Sequence, residues 1–159
     1  QPYHSLLSFI SGISELISFA SGSDLPLAPV ESVRSMTTEA SVIFNAAHPG
    51  GIPDSECGEG DYEYNGVRYY SWAGAKPATN LLDPLEPITI AFSQFFPDGV
   101  ANDGFVDPCT SNLGMVIRND FAMTHLDEVN QMLGIHDLNE TDPLTVFRTH
   151  ANRLKNDGL

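Results

Sequence analysis

The chain has 159 residues, 42% of them apolar and 18% charged, a composition that can build one packed domain and argues against disorder. Seven basic residues against 21 acidic ones give a formal net charge of −14, so a nucleic acid or anionic membrane held by charge is disfavoured and a cation partner is more natural. No apolar run reaches the roughly 18–20 residues that span a bilayer. The chain opens at Gln1 rather than Met, which reads as a processed start or as the middle of a longer protein.

From Tyr3 to Ala20, apolar residues at Leu6, Phe9, Ile10, Ile13, Leu16, Ile17 and Ala20 recur at helical spacing, with serines on the opposite face. Ser21 to Pro29 reads as a loop. The pattern predicts a second helix over Thr38–Ala47, ended by Pro49, Gly50 and Gly51. Residues 50–65 read as irregular surface. The β-branched and aromatic run Val67–Ala73 predicts a strand between Gly66 and Gly74. Prolines at 77, 84, 87, 97 and 108 make 75–112 mostly loop, with a short strand near Ile88–Phe92. A further short strand is expected at Leu113–Ile117, and a short helix over Asp127–Leu133 ending at Gly134. Asp142-Pro143 predicts an N-cap with proline at the first helical position. The helix that follows should bury Leu144, Phe147, Ala151 and Leu154 and turn Arg148, Arg153 and Lys155 outward. One strong strand and one or two weak ones cannot close a sheet, so the chain reads as the end of a larger α/β domain.

Cys57 and Cys109 are the only cysteines. Their spacing is poor for zinc and neither is flanked by a basic residue, so a disulfide is favoured over two free thiols. A bridge closing about 50 residues would stabilise the fold by about 4 kcal/mol and implies an oxidising compartment.

Polar residues concentrate in two turn-like places, Asn102-Asp103-Gly104 and Thr124-His125-Leu126-Asp127-Glu128. Each taken alone reads as a surface turn. Together they place an acid on a loop ahead of a loop histidine, the chain order of the α/β-hydrolase triad. An aspartate on one imidazole nitrogen would fix the tautomer, leaving the other nitrogen to take a proton from a nucleophile. Glu128, one helical turn after His125, is a rival acid, and spacing does not choose between it and Asp103. No GxSxG occurs in the chain, so a nucleophile would have to come from upstream. Asp83 and Asp127 are hard oxygen donors suited to Ca²⁺, with solvated surface carboxylates as the plainer reading.

The stretches NGVRYYSWAG, NLLDP, ANDGFVDPC, HLDEVNQMLG and RTHANRLK resemble the C-terminal half of secreted triacylglycerol lipases of the Pseudomonas and Burkholderia type. The likeness covers about residues 35–159 and extends loosely over the first helix. It implies the C-terminal part of an α/β-hydrolase fold, with an incomplete central sheet over 31–159 and an amphipathic lid helix and linker over 1–30. By the same resemblance Asp103 is the triad acid and His125 the triad histidine. Asp83, Asp127, Gln131 and Ile135 are ligands of a Ca²⁺ ion, the last two through backbone oxygens, and Cys57 pairs with Cys109. The family has leucine where Ile135 stands, a change that a carbonyl ligand tolerates.

The resemblance further implies a secreted, extracellular enzyme acting on neutral lipid at an oil–water interface. The family's GHSQG elbow and oxyanion-hole contributors would lie ahead of Gln1, in a missing N-terminal portion. A dedicated membrane-anchored foldase is the other implied partner. An esterase on soluble short-chain esters is the alternative within the same chemistry, and a non-catalytic, calcium-stabilised fragment is the alternative outside it.

Overall fold

The computed structural model describes residues 31, 34–35, 37–131 and 134–159. The helix expected over Tyr3–Ala20 lies outside the described residues. The chain divides into two units, Gln1–Pro49 and Gly50–Leu159. In the first, helix α1 spans Thr38–Ala47, the range the sequence predicts. Thr37 caps it by accepting a 3.3 Å bond from the Ala40 amide, and Pro49 follows its end. No described helix is long and apolar enough to cross a membrane.

The second unit carries the candidate site. Strands β1 (Glu63–Tyr64) and β2 (Val67–Arg68) form an antiparallel hairpin. Asn65-Gly66 makes its two-residue turn, with φ of 51° and 78°, the positive values that a type I′ turn requires. The expected strand Val67–Ala73 is therefore split. Tyr69 donates to the Tyr62 carbonyl on the hairpin side and accepts from the Met115 amide on the other. Beyond it, β3 (Tyr70–Gly74) pairs in parallel with β4 (Met115–Phe121), a strand longer than the Leu113–Ile117 expected.

A parallel pair needs a crossover, and the connection between β3 and β4 supplies it. It contains α2, Glu86–Ser93, where a strand was expected near Ile88–Phe92. Pro87 falls in the first helical turn, where its missing N–H costs nothing. The inward anchor is Thr89, fully buried, whose hydroxyl donates to the carbonyls of Pro77 and Glu86. Thus a run with strand-like composition is held as a helix by tertiary packing.

The expected helix over Asp127–Leu133 is also corrected. Residues 125–131 form turns, and Asn130 sits at φ 53°, a left-handed conformation that stops helical propagation. The last helix, α3, spans Pro143–Asn156, and the Asp142 carboxylate caps it through a 2.7 Å bond from the Leu144 amide. Its inward face differs in part from the expected one. Pro143 and Val146 are buried, His150 is half-buried against Tyr70 and Trp72, and Leu154 is half-buried; Phe147, 41% exposed, still packs edge-on against Trp72, while Leu144 and Ala151 are exposed. Arg153 also turns inward to His150, at 3.2 Å. Phe121, Met123 and Val146 form a small core with Trp72 against it.

Cys57 and Cys109 form a disulfide, tying the segment before the hairpin to the loop before β4. Asn112 reinforces this tie by donating to the Gly58 carbonyl at 3.0 Å.

Candidate active site

Asp103 and His125 come from two loops, one after α2 and the other after β4. The Asp103 loop is built by its own side chains. Asn102 Oδ1 accepts from the Gly104 amide, and Asp103 Oδ1 accepts from the amides of Phe105 and Val106 at 2.8 and 2.7 Å. That leaves Asp103 Oδ2 for the imidazole. It stands 2.7 Å from His125 Nδ1, and the His125 amide donates to the Asp103 carbonyl at 3.0 Å. Gly104 at φ 104° lets the turn press onto α2, where a Cβ would lie 2.6 Å from Thr89 Cβ.

Asp103 is 2% exposed, whereas the His125 side chain is 45% exposed. The acid is thus enclosed, while nearly half of the histidine side chain is open to solvent. Burial works against the Asp103 charge, but the bond to His125 and the two amides outweigh it and hold its pKa below the ordinary carboxylate value. The bond to Asp103 raises the His125 pKa in spite of burial. With Nδ1 donating to Asp103, Nε2 is free to accept a proton, which is the arrangement of a general base.

Glu128 is the third member of this cluster. Its carboxyl lies beside the pair, with the ligand atoms of Asp103, His125 and Glu128 within 4.8 Å of one another. Among the described residues this is the one group of three or more His, Cys, Asp or Glu side chains spaced for a metal ion, but Asp103 and His125 already satisfy each other. Burial and the neighbouring Asp103 charge push the Glu128 pKa up to about 7. Glu128 Oε1 accepts from the Gly74 amide at 2.5 Å, at the end of β3. Of the two acids that spacing left open, the one bonded to His125 Nδ1 is Asp103.

The carboxylates expected to hold calcium are 4% exposed at Asp83 and 2% at Asp127. Asp127 Oδ2 accepts from the Thr79 hydroxyl at 2.8 Å and the Thr124 amide at 2.9 Å. The Thr124 hydroxyl accepts from the Asp127 amide in return, so His125 stands in a closed turn. Asp83 Oδ1 accepts from the Leu85 amide at 2.7 Å. Its pKa is raised by burial and by the charges of Asp127 and Glu86, against the Leu85 bond. Among the described residues no basic side chain forms an ion pair with any of these three acids.

Buried carboxylates that repel one another and lack a cationic partner are the donor chemistry of a hard divalent ion, so the residues fit Ca²⁺. Gln131 is exposed at the end of the turns and Ile135 is half-buried after Gly134; Met132 and Leu133 lie outside the described residues. Asn80 joins the two sides of this region by donating to the His136 carbonyl at 2.9 Å.

Two supports escaped the sequence reading. Glu86, 4% exposed, accepts from the amides of Thr79 and Asn80 and so shapes the loop leading to Asp83. Its only sequence signal is an acid three residues after Asp83. Glu140 accepts from both terminal nitrogens of Arg118 at 2.9 and 3.0 Å and from the Ala122 amide at 2.8 Å. This closes the base of the histidine loop, and Arg118 also covers the Phe121 ring at 4.2 Å. Burial acts upward on the Glu140 pKa, but Arg118 and the amides of Ala122 and Thr141 bring it down to about 2.

No protein-family model matches the chain. A triacylglycerol lipase of Vibrio cholerae is 50% identical over 149 residues, covering 93% of this chain and 47% of the relative. The chain is a homologue of bacterial triacylglycerol lipases. A lipase of Pseudomonas fragi is 37% identical over 85% of this chain and 48% of its own length. A lipase of Burkholderia plantarii is 28% identical over 97% of this chain and 51% of its own length. The chain thus spans about half the length of the curated lipases it matches.

Proposed function

We propose that the chain is the C-terminal part of a secreted triacylglycerol lipase of α/β-hydrolase fold. His125 is its general base and Asp103 the acid that orients it. The observation that carries this reading is the 2.7 Å bond between His125 Nδ1 and a buried Asp103, on a histidine whose side chain is itself 45% exposed. Homology to lipases supplies the substrate class, esters of neutral lipid at an oil–water interface.

The nucleophilic serine comes from upstream sequence. His125 Nε2 takes the proton as the serine oxygen attacks the ester carbonyl, then returns it to the departing alcohol. The acyl-enzyme is hydrolysed by repeating the exchange with water. Asp103 holds the ring by Nδ1 and stabilises the imidazolium of each step. Asp83 and Asp127, with the backbone oxygens of Gln131 and Ile135, are the ligands proposed for Ca²⁺. When bound, the ion neutralises the two carboxylates and pins the histidine loop.

Two features support an upstream half. A two-stranded parallel sheet is normally part of a larger sheet covered on both faces. Large apolar side chains also stand open, among them Leu81 at 97%, Leu82 at 80% and Phe95 at 73% exposed. The Cys57–Cys109 bond supports export, because such bonds persist outside reducing compartments. A lid over Tyr3–Ala20 and a dedicated foldase belong to the same proposal.

The test uses the full-length protein. Its serine should be labelled by a fluorophosphonate, and emulsified triglyceride should be hydrolysed. His125→Ala should lose about 10⁴-fold or more in turnover while keeping its circular dichroism. Normal turnover in folded His125→Ala overturns the assignment.

A further inference from the structure

Glu128 has the position of a second acid for the histidine, yet its hydrogen bonds point to other work. One oxygen accepts from the Gly74 amide at 2.5 Å. The approach is close enough that a Cβ on Gly74 would lie 2.8 Å from that oxygen and 2.3 Å from the Met123 carbonyl. Glycine at the end of β3 is therefore what admits the carboxyl. The Glu128 carboxyl also stands beside Asp103, in the cluster of Asp103, His125 and Glu128 whose ligand atoms lie within 4.8 Å of one another. The neighbouring strand bonds run the same way, with Ala75 donating to Phe121 and Lys76 to Met123. Glu128 thus spans from the rigid end of a strand to the acid that aims the imidazole.

We propose that Glu128 is a positioning residue, a strut that fixes Asp103 and His125 relative to β3. It acts through Asp103 and touches no reacting atom. Positioning matters because a displacement of about 1 Å at a reacting group costs up to about 100-fold in rate. The inference rests on the reading of Asp103 and His125 as members of a lipase triad.

Three variants of the full-length enzyme test it, with kcat normalised to fluorophosphonate-labelled serine and calcium saturating. Glu128→Ala removes the strut and should lower kcat about ten-fold, with KM unchanged. Glu128→Asp keeps the carboxylate but is one carbon short of Gly74, and should be as slow. It decides the matter if the alanine variant does not fold. Glu128→Gln keeps an acceptor for Gly74 and sets an N–H₂ toward Asp103, and should recover kcat to within about three-fold of wild type.

The proposal is overturned if Glu128→Ala turns over within two-fold of wild type, or if Glu128→Gln is no faster than Glu128→Ala. A rise in KM at unchanged kcat overturns it too, because that marks a substrate contact. So does recovery of Glu128→Ala by added calcium chloride beyond saturation, which would place the effect in the ion loop. A wild-type protein that neither labels nor hydrolyses ester instead refutes the lipase reading itself.

Discussion

Replacing both Cys57 and Cys109 by serine removes a link across 52 positions. Releasing a loop of that length returns about 14 cal/mol/K to the unfolded chain, or about 4 kcal/mol at 25 °C. The native loop geometry should survive, because Asn112 still donates to the Gly58 carbonyl and Gly60 to the Gly114 carbonyl. The penalty therefore falls on the unfolded state. With a urea dependence of about 2 kcal/mol/M, the unfolding midpoint should fall by about 2 M. Urea titration followed by circular dichroism measures it, and oxidised wild type with added reductant should reproduce the shift. Turnover per folded molecule should not change. A midpoint shift below about 0.5 M, or slower turnover in the folded fraction, would refute this account of the bond.

Gly104→Ala should destabilise by about 3 kcal/mol, because φ of 104° strains alanine and its Cβ would meet Thr89. Thermal unfolding reads this, and an unchanged melting temperature contradicts it. Glu140→Gln should cost about 2 kcal/mol at pH 7 by breaking the Arg118 pair. The Glu140 carboxylate is depressed, so its stabilisation is complete above about pH 4.5 and is lost as pH falls through about 2. The gap between variant and wild type should therefore close toward pH 2 in a series of melts. Asp83→Ala should abolish the melting-temperature rise that millimolar calcium gives the wild type, whereas an equal rise in both places the ion elsewhere.

The elements legible in the sequence are those set by local chemistry. Pro49 ends α1 and Asp142-Pro143 starts α3, whereas the Asn65-Gly66 hairpin turn falls in a stretch that reads as irregular surface. Tertiary contacts decided the others. Ile88–Phe92 has the composition of a strand, but buried Thr89 and the close approach of Gly104 hold it in a helix. The inward face of α3 is only partly legible: Trp72 takes Phe147 as well as His150, and Tyr70 also takes His150, so a polar ring shares the face with the apolar residues. At the site, turn-forming side chains made Asp103 and His125 visible. The choice between Asp103 and Glu128 was not, since it depends on where the end of β3 lies. Glu86 and Glu140 were silent because their partners are backbone amides and an arginine remote in sequence.

The oxygens of Asp103 have separate duties, one gathering two amides and the other facing the ring. Position 103 therefore needs a short, symmetrical double acceptor. Asparagine matches it in outline and could still satisfy the turn, but it would offer hydrogens to Nδ1. The imidazole would then carry its proton on the outer nitrogen, where an incoming alcohol needs a lone pair. In a mutational library this site should look permissive when clones are sorted for expression and intolerant when they are sorted for clearing zones on lipid plates.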